Sequence, residues 1–139
     1  MQYVIAYIGA LVAFLVIDLI WIGVVAKGYY FKVLEPIIAQ PMRLHIAAIF
    51  YAIYLVGVLY FAVRPALAEP ELSGALKVAA LNGALFGFFC YATYDLTNWA
   101  TLQDWPTSIS FIDIPWGTVL TATCAVAGTA AVKLILKDA

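Results

Sequence analysis

The chain has 139 residues, of which 66% are hydrophobic and 11% charged, and its mean hydropathy is +1.02. A soluble domain cannot hide that much apolar surface, and here it comes in runs of about twenty residues, so the surface faces lipid and the fold class is an all-α, multi-pass membrane bundle. A formal net charge of −1 with seven Lys and Arg leaves no basic patch for a phosphate backbone, which argues against nucleic acid as a partner.

Hydropathy predicts four spans: about Tyr3 to Ala26, His45 to Val63, Leu76 to Ala100, and Phe111 to Leu134. The first has no basic residue before it, is longer than a signal-peptide core and lacks an Ala-x-Ala cleavage site, so it is expected to stay as an anchor. Between spans one and two, Tyr29, Tyr30, Phe31, Leu34, Ile37 and Ile38 mix with Lys32 and Glu35, the pattern of a short interfacial helix broken near Pro36 and Pro41. An ordinary connecting loop with aromatic belt residues is the alternative. Arg64-Pro65 through Ser73-Gly74 and Gln103 through Pro106 join the later spans. The chain is therefore expected to form a single membrane domain.

Arg64, Lys77, Lys133 and Lys137 fall on the side of the termini, against Lys27, Lys32 and Arg43 on the other. The excess of one basic residue favours cytoplasmic termini.

An unpaired charge in hydrocarbon costs at least a few kcal/mol, so ionisable residues within spans are the first place to look for function. Asp18 lies in span one, Asp95 at a similar depth in span three, Asp113 opens span four and His45 opens span two. The antiparallel order brings all four toward one leaflet, with Trp21, Trp99, Trp105 and Trp116 on the same side. Asp18 and Trp21 are three residues apart, while Tyr91, Asp95, Asn98 and Trp99 are linked by steps of three or four, so each set shares a helix face. Two such faces meeting would form a polar-aromatic pocket. An acidic pair there resists double ionisation, leaving one carboxyl able to act as acid, base or proton carrier. Asp95 and Asp18 are thus the catalytic candidates; Asn98, Tyr91, Tyr94, Trp21, Trp99, His45, Asp113 and Trp116 are the candidate ligand contacts.

Structural alternatives stand beside these readings. Asp18 is open to pairing with Arg43, Lys27 or His45, and Ser110-x-x-Asp113 before Pro115 reads as a helix start capped by Ser110 or Asp113. His45 alone at a boundary reads as an interfacial hydrogen-bonder as readily as a ligand contact. Asp18-Leu19-Ile20-Trp21 faintly echoes Asp95 to Trp99, as a parallel repeat of two hairpins would. No helical spacing of a metal motif links the acids and the histidine, Cys90 and Cys124 lack metal or disulfide spacing, and neither a Gly-x-Ser-x-Gly elbow nor a phosphate loop is present. No metal or cofactor is expected. Gly83-x-x-x-Gly87, and Gly117, Thr121, Ala125 and Thr129 at four-residue steps, supply smooth faces for close helix approach, within the bundle or in a dimer.

Tyr91-Ala92-Thr93-Tyr94-Asp95-Leu96-Thr97-Asn98, then Ala100-Thr101-Leu102 and Trp105-Pro106, resembles a bacterial family of small membrane proteins known as Domain of Unknown Function 2177. The resemblance continues through Asp18 with Trp21, Phe61 to Ala66, and Asp113 with Trp116-Gly117, and so covers nearly the whole chain. It implies a four-helix bacterial inner-membrane protein, leans toward a lipid-related role and brings no assigned activity.

Three functions compete. One is a site that binds or modifies a membrane lipid or small hydrophobic molecule, with Asp95 as acid or base. Another is a proton-coupled small transporter working as a homodimer, with Asp18 or Asp95 exchanging protons for substrate. The third is a non-catalytic subunit or assembly factor of a larger membrane complex.

Overall fold

The computed structural model describes residues 1–35, 37–39 and 41–136. The described chain is helical with no strands: α1 (Gln2–Ile20), α2 (Lys27–Leu34), α3 (Leu44–Val58), α4 (Arg64–Leu67), α5 (Leu72–Thr101) and α6 (Thr107–Ile135). In hydrocarbon every backbone N–H and C=O must be satisfied within the segment, and continuous helices do this. Four segments are long and apolar enough to cross a membrane: Gln2–Val24, Leu44–Leu67, Leu72–Thr101 and Thr107–Ile135. Hydropathy located all four and misjudged their ends. Ser73-Gly74, read as linker, lies in the first turn of α5, and α6 begins at Thr107 rather than Phe111.

Two turns of wider π-helix interrupt the regular pattern, at Trp21–Val25 and Leu59–Val63. The second precedes Pro65, which lacks an N–H and would press its ring on the Phe61 carbonyl in a regular helix. A widened turn relieves that conflict and lets span two continue through α4. The short helix expected between spans one and two is present as α2, over Lys27–Leu34. Pro36, one of its two expected breakers, and Lys137, counted for orientation, lie outside the described residues.

Helix α6 is the hub. It packs along α5 through glycines, a Cβ on Gly83 falling 2.9 Å from the Ala125 methyl and one on Gly87 2.7 Å from Thr121 Cβ. It packs on α1 in the same way: a Cβ on Gly9 would lie 2.9 Å from the Ala131 methyl, and one on Gly128 2.8 Å from the Ala6 carbonyl oxygen. The expected small-residue faces are thus used inside the bundle, where backbone proximity supplies the van der Waals contact that water would otherwise enforce. Phe14, Leu55, Val58 and Leu120 fill the centre, each at most 1% exposed.

Candidate functional site

Three carboxyls gather at the end of the bundle away from the termini. Asp18 precedes Val24 by six residues, Asp95 precedes Thr101 by six, Asp113 follows Thr107 by six and Tyr51 follows Leu44 by seven. At 1.5 Å per residue all four sit about 9–10 Å inside the same end. The antiparallel order of the spans therefore turns widely separated positions into one layer.

Asp18 is 7% exposed and accepts a hydrogen bond from the Tyr51 hydroxyl at 2.9 Å. The Trp116 indole N–H lies beside the same carboxyl without closing a hydrogen bond. Pairing of Asp18 with Arg43, Lys27 or His45 is not what the fold does: all three are exposed, and among the described residues no basic group reaches this carboxyl. A phenol from α3 fills the position instead, because Tyr51 shares the depth of Asp18 while the basic residues flank the span ends.

Asp113 accepts a hydrogen bond from the Tyr30 hydroxyl of α2. The short helix thereby folds back onto the bundle end. Burial, reinforced by the Asp113 carboxyl, pushes the Tyr30 phenol above its ordinary range. The capping role considered for Ser110 and Asp113 is overturned, since α6 starts at Thr107 behind Pro106 and both residues lie inside the helix. Pro115 is likewise internal, a position that membrane helices tolerate where neighbouring groups re-satisfy the freed backbone. Ser110 instead accepts a hydrogen bond from Trp105 Nε1 at 3.0 Å, pinning the α5–α6 loop to α6.

Asp95 is fully buried and neither of its oxygens has a hydrogen-bond partner; Ser110 is the hydroxyl beside it. The polar face of α1 meets that of α5 only through Tyr91, which lines the same groove as Asp18 and Trp21, while Asp95 and Asn98 stay out of it. Both faces turn toward α6, where Asp113 lies within electrostatic reach of Asp95 and Asp18.

Two grooves converge here. The larger, about 740 Å³, runs between α3 and α5 and is walled by Phe50, Tyr54, Phe86, Phe89, Cys90, Tyr91 and Tyr94, with Asp113 of α6 where it borders the smaller. The smaller, about 310 Å³, holds Asp18, Asp113, Tyr30, Tyr51, Trp21 and Trp116, the last two stacked at 4.1 Å between ring centres and 12° between planes. Phe50, Tyr91 and Asp113 border both. Because Phe50, Phe89 and Tyr94 are exposed within spans, the larger groove opens sideways to lipid.

Of the candidates from sequence, Asp18, Asp113, Tyr91, Tyr94, Trp21 and Trp116 line a groove. Asp95, Asn98, Trp99 and His45 line neither: Asp95 is sealed between helices, Asn98 is half-buried beside Tyr94, Trp99 meets Phe111 at 5.9 Å, and His45 is exposed at the start of α3. Sequence reasoning missed Phe14, Phe50, Tyr51, Tyr54 and Phe86. The signal was available in part, because Phe14, Asp18 and Trp21 share one face of α1, and Phe50, Tyr51 and Tyr54 cluster on α3. Among the described residues no three His, Cys, Asp or Glu are grouped to hold a metal ion.

No curated protein and no solved structure matches the chain. A family model described as "Predicted membrane protein" matches residues 3–130, and the chain, with its four spans and its three carboxyls at one depth, belongs to that family, DUF2177.

Proposed function

We propose that this protein binds, within the bilayer, a lipid or small hydrophobic molecule whose polar end lies at Asp113. One observation carries the reading: two aromatic-walled grooves, one open to lipid, converge on a single carboxyl bonded by a phenol from α2. A groove of about 740 Å³ falls within the usual size of small-molecule sites, apolar walls with a few convergent polar groups. Asp113 contacts the occupant, Asp18 and Tyr51 set the floor of the smaller groove, and Asp95 acts on the site only through the electrostatic field it shares with Asp113. The site lies in the outer leaflet of a bacterial inner membrane, with Arg64, Lys77 and Lys133 on the cytoplasmic side.

The test is native mass spectrometry of protein extracted from its own membrane in mild detergent, comparing wild type with Asp113→Asn and Asp95→Asn. A defined small-molecule adduct that persists on the wild type and is lost from folded Asp113→Asn is the expected result. Wild-type protein that emerges without any adduct, in repeated extractions, overturns the reading.

A further inference from the structure

We propose that the converging grooves select a cationic amphiphile, a lipophilic amine or quaternary ammonium whose charged end meets Asp113 and Asp18 while its tail follows the larger groove. The proposal rests on the binding reading above and adds the charge of the occupant.

Charge complementarity is the first argument. The grooves contain two carboxyls and no Lys, Arg or His. Among the described residues no basic side chain reaches Asp18, Asp95 or Asp113, whose polar neighbours are phenols, an indole, a hydroxyl and each other. Carboxylates in a low-dielectric interior are expected beside a compensating positive charge, and among the described residues none is supplied. Asp95, sealed behind the grooves with both oxygens unpartnered, is a third acid with no basic neighbour among the described residues.

The walls form the second argument. Trp21, Trp116, Tyr30, Tyr51 and Tyr91 flank the two carboxyls, and aromatic rings attract ammonium groups most strongly where water is excluded. A bare divalent ion does not suit this lining, since no three ligating side chains are grouped among the described residues. The mostly apolar lining of the larger groove calls for a tail. An anionic headgroup would meet like charge where the acids are ionised, and a neutral one would gain no ionic partner from them.

Cys90 gives the experiment a reporter, because it lines the larger groove while Cys124 is buried. The full chain in dodecyl maltoside is alkylated with N-ethylmaleimide in the presence of decyltrimethylammonium, decyl sulfate or decanol at equal mole fraction in the micelle. Decyltrimethylammonium is expected to slow alkylation of Cys90 about fivefold relative to the other two, as a preference near 1 kcal/mol would give. In folded Asp113→Asn that advantage shrinks toward parity. Equal protection by all three amphiphiles overturns the cationic assignment and leaves the groove an apolar site. Protection by none overturns both the assignment and the binding reading. The wild-type comparison decides the matter even if the variant does not fold.

Discussion

The seam of α6 against α5 and the corner between α3 and α5 use the same helix α5 in opposite ways. Along the seam, Gly83 and Gly87 bring backbones so near that an added Cβ would overlap Ala125 and Thr121. At the corner, Phe50, Tyr54, Phe86 and Phe89 hold the helices apart and leave a groove of about 740 Å³. Small residues close a membrane bundle and large rings prop it open; with lipid as solvent, no hydrophobic collapse erases the difference. The close-packed seam fixes Asp113, while the open corner leaves the groove beside it unfilled.

The contrast is broken most severely at the seam. Gly87→Leu forces a side chain against Thr121 and the Gly117 carbonyl, and is expected to lower stability by about 3 kcal/mol or more, read as lost folded yield and a lower melting temperature in detergent. Gly28→Ala is the control, since nothing lies within 4 Å of its Cβ position, and should change stability by less than about 0.5 kcal/mol.

At the site the effects are smaller and separate by atom. Tyr51→Phe removes the one hydrogen bond that Asp18 accepts and leaves a buried carboxyl uncompensated, a cost of about 1–3 kcal/mol in thermal unfolding. Tyr54→Phe at the corner should cost at most about 1 kcal/mol: Thr121 already donates to the Gly117 carbonyl at 2.6 Å and loses only a donor to its own oxygen. If the Tyr54 variant proves the worse of the two, the corner is structural rather than open.

The last prediction concerns pH. The Tyr30 phenol is raised by burial and by Asp113, so the folded state holds its proton more tightly than the unfolded chain. Its contribution to stability is complete below the ordinary tyrosine value near 10 and fades only as pH climbs beyond it. Ultraviolet titration of wild type against Tyr30→Phe should therefore show no added tyrosinate at pH 10. An ordinary titration there would mean that α2 does not hold Tyr30 against Asp113.

How much of this was legible in the sequence depended on the range of each interaction. The spans, the short helix α2 and the small-residue faces could be read because hydropathy and four-residue spacing are local. The start of α6 was misjudged because Thr107-Ser108-Ile109-Ser110 is polar enough to look like a loop, yet Ser110 is buried under Trp105. Depth along antiparallel spans brought Asp18, Asp95 and Asp113 to one level correctly. Rotation of each helix about its own axis could not be read, so Asp95 sits sealed against α6 while Asp113 is the carboxyl that borders both grooves. The bond from Tyr30 to Asp113 spans 83 residues of sequence and carries no local signal.

For the proposed occupant, the sideways mouth of the larger groove changes what dose means. Such an occupant would arrive between Phe50 and Phe89 from the bilayer by lateral diffusion, so the relevant concentration would be its mole fraction among lipids rather than its molarity in water. Two compounds with equal affinity for Asp113 would differ in apparent potency by the ratio of their partition coefficients. Doubling the lipid at fixed total compound would weaken both.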